Sequence, residues 1–225
     1  MLLEICAYNI QSCLVANHAG ASRIELCADP DVGGTTPSYG LIQYALEHLS
    51  IPVFPMIRTR GGNFIYDHHD LAIMKKDILA CRELGCTGIA TGIQLVNGRI
   101  DKHNLAKLVE WAYPMAVTCH KVFDRTTDAQ QAIEDVIEAG CSRILTSGLK
   151  PTALEGKDIL AELISQANGR IIIMPGGGVR SSNIAQLAAG TSAVEYHSSG
   201  LISKSTDYLA DQHEIELMVQ SLNKL

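Results

Sequence analysis

A local pattern that recurs four times constrains the fold more than any other feature of this 225-residue chain. A helix-like stretch ends in Gly and an apolar run starts three residues later: AGASRIEL at 19–26, LGCTGIAT at 84–91, AGCSRILT at 139–146 and AGTSAVEY at 189–196. Gly20, Gly85, Gly140 and Gly190 are natural helix terminators, because a residue without a Cβ takes positive φ without a clash. The run that follows each is short and apolar or β-branched, as in a parallel strand covered on both faces. Four such units in register predict a tandem βα architecture.

Filling the intervals gives eight strands, near residues 2–6, 23–27, 52–58, 88–92, 115–120, 143–147, 171–175 and 193–197. Helical patterns lie between them, among them QYALEHL, MKKDILACREL, NLAKLVEWA, AQQAIEDVIEA and DILAELISQA, with Asp128 and the Ser182 region as N-caps. This is the α/β pattern of a single (β/α)8 TIM barrel over residues 1–225, with a C-terminal helix at about 205–225. A doubly wound open sheet is the competing arrangement, but no GxGxxG follows the first strand.

Composition narrows the function classes. With 47% of residues hydrophobic and 19% charged, a large core is available, and a net charge of −6 argues against nucleic acid as a partner. No apolar run approaches the roughly 18–20 residues that span a bilayer. The start, MLLEICAYNI, lacks the basic segment of a signal peptide. The seven cysteines form no CxxC pair, so a reduced, cytoplasmic thiol set is expected, without a membrane partner.

Strand parity then points to chemistry at the C-terminal mouth. With Leu3, Ile5, Ile24, Leu26, Val194 and Tyr196 facing the helices, Glu4, Cys6, Glu25, Cys27, Glu195 and His197 face inward. The same parity sends Met56, Arg58, Thr118 and His120 inward, and Asp124 follows in the next loop. Strands one, two and eight are neighbours in a closed barrel, so Glu4, Glu25 and Glu195 are expected to converge. Three buried carboxylates repel unless a cation, an arginine or protons intervene, and Arg58 offsets part of that charge. The competing account is a purely structural Arg–Glu network.

The other candidates carry weaker patterns. Cys13, Cys81, Cys86, Cys119 and Cys141 read as buried filler, whereas Cys6 and Cys27 stand out by position and are candidate metal ligands. His68 and His69 are expected in a solvated loop that caps the next helix. Gly176, Gly177 and Gly178 follow strand seven, where such barrels often bind phosphate, and Ser198-Ser199-Gly200 follows strand eight. Arg58 and Arg60 can grip a carboxylate or phosphate bidentately.

The segments LLEIC, RIELCADPDVGGTTPSYG, PVFPMIRTRGGNF, VTCHKVFD, RILTSG and VEYHSSG resemble the CutC family of copper homeostasis proteins, from residue 2 to about residue 200. IR-x-RGG-x-F and GG-x-TPS-x-G together are the specific part of that resemblance. It implies a cytoplasmic TIM barrel, dimeric or larger, with copper binding as its function. Departures from the family pattern are local, at Thr59, Asn63, Cys119 and Lys121.

Two functional readings therefore stand side by side. In one, a copper ion is held by Cys6 and Cys27, with Met56 or His197 as further soft donors. In the other, the barrel is an enzyme acting on a small anionic or phosphorylated substrate. Glu4, Glu25, His120, Glu195 and His197 are then candidate acid–base groups, and Arg58, Arg60, Asp124 and Gly176–178 bind substrate.

Overall fold

The structure, a computed structural model, describes residues 1–202 and 207–224. Among the described residues eight strands alternate with eight helices. The strands are β1 (Leu2–Ala7), β2 (Arg23–Leu26), β3 (Val53–Pro55), β4 (Gly88–Thr91), β5 (Ala116–Cys119), β6 (Arg143–Thr146), β7 (Ile172–Pro175) and β8 (Glu195–Ser198). The helices are α1 (Ile10–His18), α2 (Tyr39–His48), α3 (His68–Glu83), α4 (Lys102–Ala112), α5 (Ala129–Glu138), α6 (Lys157–Ala167), α7 (Ile184–Thr191) and α8 (Gln212–Asn223).

All pairings between strands are parallel, in the orders β3-β2-β1-β8 and β4-β5-β6-β7. Single bridges, Met56 to Ala90 and Gly176 to His197, join the two groups and close a TIM barrel. Outward residues such as Ile5, Ile24, Ile89, Val117 and Ile144 are fully buried under the helices, as a doubly covered parallel sheet requires.

The repeat has a common geometry with one departure. Gly20, Gly85 and Gly140 have φ of +87°, +87° and +89°, and the next strand begins three residues on. Gly190 does not take this role, because α7 runs past it to Thr191. Ser192 instead adopts φ +57°, and β8 starts three residues later at Glu195, rather than at the expected residue 193. The shift is two residues, so the inward parity of Glu195 and His197 is unchanged.

Asp128 caps α5 as expected, its side chain accepting from Gln131 N, but α7 is entered through Asn183 rather than Ser182. His68 and His69 are the first residues of α3 and not a loop before it. Asp67 caps that helix by accepting from the His69 and Asp70 amides. The C-terminal helix starts at Gln212, after the Asp211 cap. Positions 205, 206 and 225 of the expected helix lie outside the described residues.

Strand tilt stacks the inward side chains in tiers of four from alternate strands. The registers place Arg23, Gly88, Arg143 and Glu195 on the floor, then Glu4, Phe54, Thr118 and Met174. Glu25, Ala90, Leu145 and His197 come next, and Cys6, Met56, His120 and Gly176 lie below the mouth. Gly88 is required on the floor: a Cβ there would stand 2.2 Å from Phe54 Cζ.

Candidate functional site

The floor is an ionic lattice. Arg23 donates to Glu4 and, at 2.7 Å, to Glu195, and Arg143 Nε donates to the same Glu195 oxygen at 3.1 Å. Both guanidiniums lie over the Phe54 ring, 4.9 and 5.3 Å from its centre. The expected convergence of three glutamates is thereby resolved into two levels. Glu195 sits between two arginines at the floor, and Glu4 is held by Arg23 below and by His197 Nδ1 at 2.7 Å above. Arg23 and Arg143 were missed in the sequence, although the parity that turns Glu25 and Leu145 inward also turns them inward.

Above the lattice lies a different cluster. Cys6, Cys27 and Met56 are buried together with Ala90, apart from the main core, which takes in Cys13, Cys81, Cys86, Cys119 and Cys141. The Cys6 and Cys27 sulfurs are 3.8 Å apart, and Cys27 Sγ is 3.7 Å from Glu25 Oε2. One ligand atom from each of Cys6, Glu25 and Cys27 lies within 4.8 Å of the others, and the same holds for Glu4, Glu25 and His197. The second set is largely engaged, because Glu4 already pairs with Arg23 and His197.

Protonation follows from this layout. The hydrogen bond from Cys27 holds the Cys6 thiol well below its usual range, overcoming burial, with His197 and Tyr8 adding to it. That same bond and burial keep the proton on Cys27. Burial opposes a charge on His197, yet Glu25, Cys6 and Glu4 around it raise its pKa well above the ordinary value. Glu4 overcomes its own burial through His197 and Arg23 and is held at about 2. Burial and the Cys6 charge push the Glu25 pKa the other way, well above the ordinary carboxyl range, against the opposing pull of His197. His197 thus stands between Glu4 and Cys6, beside Glu25, whose Oε1 has no partner among the described residues.

Part of this cluster lines a cavity of about 260 Å³ at the C-terminal ends of the strands, with Cys27 and Glu4 outside its lining. Cys6, Glu25, Met56, Arg58, His120 and His197 reach it from the barrel, and Lys121, Gly177, Gly178, Arg180 and Ser199 from the loops. Several expected site residues have other work. Arg58 donates to the carbonyls of Val32, Gly34 and Gly62 at 2.8, 2.8 and 3.0 Å, so it organises loops and leaves the glutamates to Arg23 and Arg143. Arg60 is outside the cavity lining, held by Ile65 O at 2.8 Å and Asp70 at 3.2 Å. Asp124, also outside it, accepts from the Ser147 and Leu149 amides at 3.0 and 3.1 Å and fixes the loop after β6. Gly176 is an interior position, where a Cβ would meet Leu145 at 2.3 Å. Lys121 stood out in the sequence only as a departure from the family pattern, and Arg180 not at all, since side chains beyond the strand ends carry no periodicity.

Comparison with known proteins agrees with this architecture. A CutC family protein from Chromobacterium violaceum is 46% identical over 198 residues, covering 88% of this chain and 80% of its relative. The copper homeostasis protein cutC homolog of Mus musculus is 40% identical over 205 residues, 91% of this chain and 75% of that one. The crystal structure of CutC from Streptococcus agalactiae superimposes with a TM-score of 0.84 at 35% identity, covering 88% of this chain and 98% of the other. Phosphoribosylanthranilate isomerase from Thermotoga maritima matches over the full length of both chains at a TM-score of 0.66, but at 15% identity that likeness is one of fold alone. The CutC family model matches residues 1–202, the stretch that carries all eight strands and every residue of the mouth described above, and the chain belongs to the CutC family.

Proposed function

We propose that this protein serves copper homeostasis by binding one Cu(I) ion at the barrel mouth through Cys6 and Cys27. The observation that carries this reading is the pair of buried sulfurs 3.8 Å apart, with Met56 in the same cluster and the Cys6 thiol held well below its usual pKa by the Cys27 hydrogen bond. A soft ion prefers thiolate, thioether and imidazole donors, and this donor set fits that preference. Only the deprotonated thiol is a ligand, so binding displaces the proton from Cys27. The resemblance adds a cytoplasmic setting and a homodimer or larger assembly, which light scattering on the purified protein would measure.

The test is an anaerobic Cu(I) titration against a competing chelator, on the wild type and on the Cys6→Ser/Cys27→Ser variant. One-to-one binding that is lost in the variant is the expected result, with one proton released per ion. An affinity unchanged by the double substitution would sink the proposal.

A second reading, acid–base chemistry on a small anionic substrate, is favoured by one observation. Burial and the Cys6 charge push the Glu25 pKa well above the ordinary carboxyl range, and Glu25 faces the cavity with Oε1 unpartnered among the described residues. A carboxylic acid kept neutral near pH 7 is a competent proton donor. In this reading Glu25 is the acid, and Glu25→Gln abolishes turnover while leaving Cu(I) affinity unchanged.

A further inference from the structure

We infer that the mouth contains a subsite for an oxyanion, the phosphoryl or carboxylate group of a small organic molecule. In it the His120 Nε2–H donates a hydrogen bond, and Lys121 and Arg180 supply positive charge across the Gly177–Gly178 turn. The inference deepens the acid–base reading and rests on it for a substrate, but it is independent of copper.

His120 is the first support. Its side chain is buried, and Nδ1 accepts from the Val122 amide at 3.1 Å, which places the ring proton on Nε2. Nε2 is buried without a partner among the described residues, and the ring lines the cavity. Gly92 backs the opposite edge: a Cβ there would stand 2.8 Å from Cε1 and 2.9 Å from Nδ1. The imidazole is thus held with one edge against the wall and one donor unused. Burial, and then the Arg58 charge, hold its pKa at about 3, so the ring is a neutral donor and not a base. Buried donors are almost always satisfied, and an unsatisfied one in a cavity wall points to a ligand acceptor.

Charge is the second support. The arginines and lysine that line the cavity are Arg58, Lys121 and Arg180, against a single carboxyl side chain, Glu25. Arg58 is consumed by backbone carbonyls, but the other two are not. The carboxylate nearest Lys121 Nζ is Asp124 at 4.0 Å, itself engaged by Thr146, Ser147 and Leu149. Arg180 places Nη1 on the Leu201 carbonyl at 2.9 Å, and no carboxylate pairs with it among the described residues.

The turn between these cations is shaped for close approach. Gly177 has φ +102°, a conformation that residues with a Cβ rarely adopt, and a Cβ on it would lie 3.2 Å from both Lys121 Nζ and Ser147 Cβ, so glycine leaves room for the ammonium over the backbone. Asn183 clamps the turn, donating to Gly178 O at 2.8 Å and accepting from Arg180 N at 2.9 Å. At about 260 Å³ the cavity is smaller than the roughly 300–1,000 Å³ of drug-sized pockets, which suits a small molecule.

The experiment uses the metal-free full chain and measures binding without turnover. Thermal unfolding is followed in inorganic phosphate, in acetate and in chloride at equal ionic strength, on wild type and on Lys121→Ala/Arg180→Ala. Lys121 opens the short 3-10 helix after β5 and Arg180 lies in the loop after β7, and the His120 ring nitrogens of each protein are observed in parallel by NMR. The expected result is a midpoint that rises with the logarithm of phosphate or acetate concentration beyond the chloride control. It comes with a shift of the Nε2 resonance, and both effects are lost in the variant. Whichever anion acts identifies the head group. A midpoint that follows chloride alone, or a rise equal in the variant, overturns the subsite and leaves the acid role of Glu25 standing.

Discussion

Replacing Glu195 by Gln would remove the shared partner of two buried guanidiniums, Arg23 and Arg143. Breaking one side of a buried ion pair costs roughly 3–5 kcal/mol, because the remaining charges keep their desolvation penalty. We expect Glu195→Gln to lower the urea-unfolding free energy by about that amount and to leave Cu(I) affinity untouched, since the floor lies below the thiols. A variant with wild-type stability would show that the lattice is not structural.

Protonation gives a second prediction at this scale. His120 titrates at about 3 in the fold against 6.5 ordinarily, so the unfolded chain takes up a proton that the native chain refuses, and stability falls as pH drops from 6.5 toward 3. Glu4, held at about 2 against 4.5, contributes stability that is present above 4.5 and lost as pH falls toward 2. The difference in unfolding free energy between wild type and His120→Gln should therefore shrink from pH 6.5 downward. The difference from Glu4→Gln should change only below about 4.5. A wild-type minus His120→Gln difference that is constant from pH 7 to pH 4 would contradict the neutral ring. Which side chains face inward was legible from period-two alternation. Where Arg58 ends was not, because its carbonyl partners, Val32, Gly34 and Gly62, come from two loops with no pattern of their own.

At the scale of the element, the four helix-to-strand junctions of the sequence repeat obey one geometric requirement: a left-handed residue stands three positions before the strand. In three junctions it is Gly, and in the fourth it is Ser192, with Gly190 inside the helix. Alanine at Gly140 places a Cβ at positive φ and should cost about 1–2 kcal/mol. At Gly190 the obstacle is the flexible Lys157 side chain, 2.5 Å away at Cδ, and the gain in helix propensity is up to about 1 kcal/mol. Gly190→Ala should thus be neutral to stabilising, and Ser192→Gly stabilising by up to about 1 kcal/mol. Chemical denaturation of the three variants measures the signs directly, and equal destabilisation by both alanines would refute the assignment. Sequence similarity shows that a junction exists. It cannot show which of two nearby residues turns left, because that depends on where the helix stops.

The whole barrel is held by a helix outside the region that the family model covers. That match ends at residue 202, yet α8 buries Ile215, Met218 and Leu222, and Ile215 and Ile5 both lie close to Gly200. Burial of each large apolar side chain is worth about 1.5–3 kcal/mol, a sum comparable with the roughly 5–15 kcal/mol stability of a typical domain. A chain cut after residue 202 should show no cooperative thermal transition and should bind a hydrophobic dye. A sharp melt near the wild-type midpoint would show the helix to be dispensable. The barrel itself was legible because one unit repeats, whereas the narrow seams at Met56–Ala90 and Gly176–His197 were not, since closure is a property of the assembled ring.

The lattice under Phe54 carries one more consequence. With Arg23, Arg143, Glu195 and Glu4 locked around that ring, the barrel is a blind well and not a conduit. Among the described residues, whatever settles near Cys6 enters and leaves by the mouth at the C-terminal ends of the strands. A donor and a recipient would therefore compete for the same threshold and be served in turn, so cargo could be passed on only after its courier had departed.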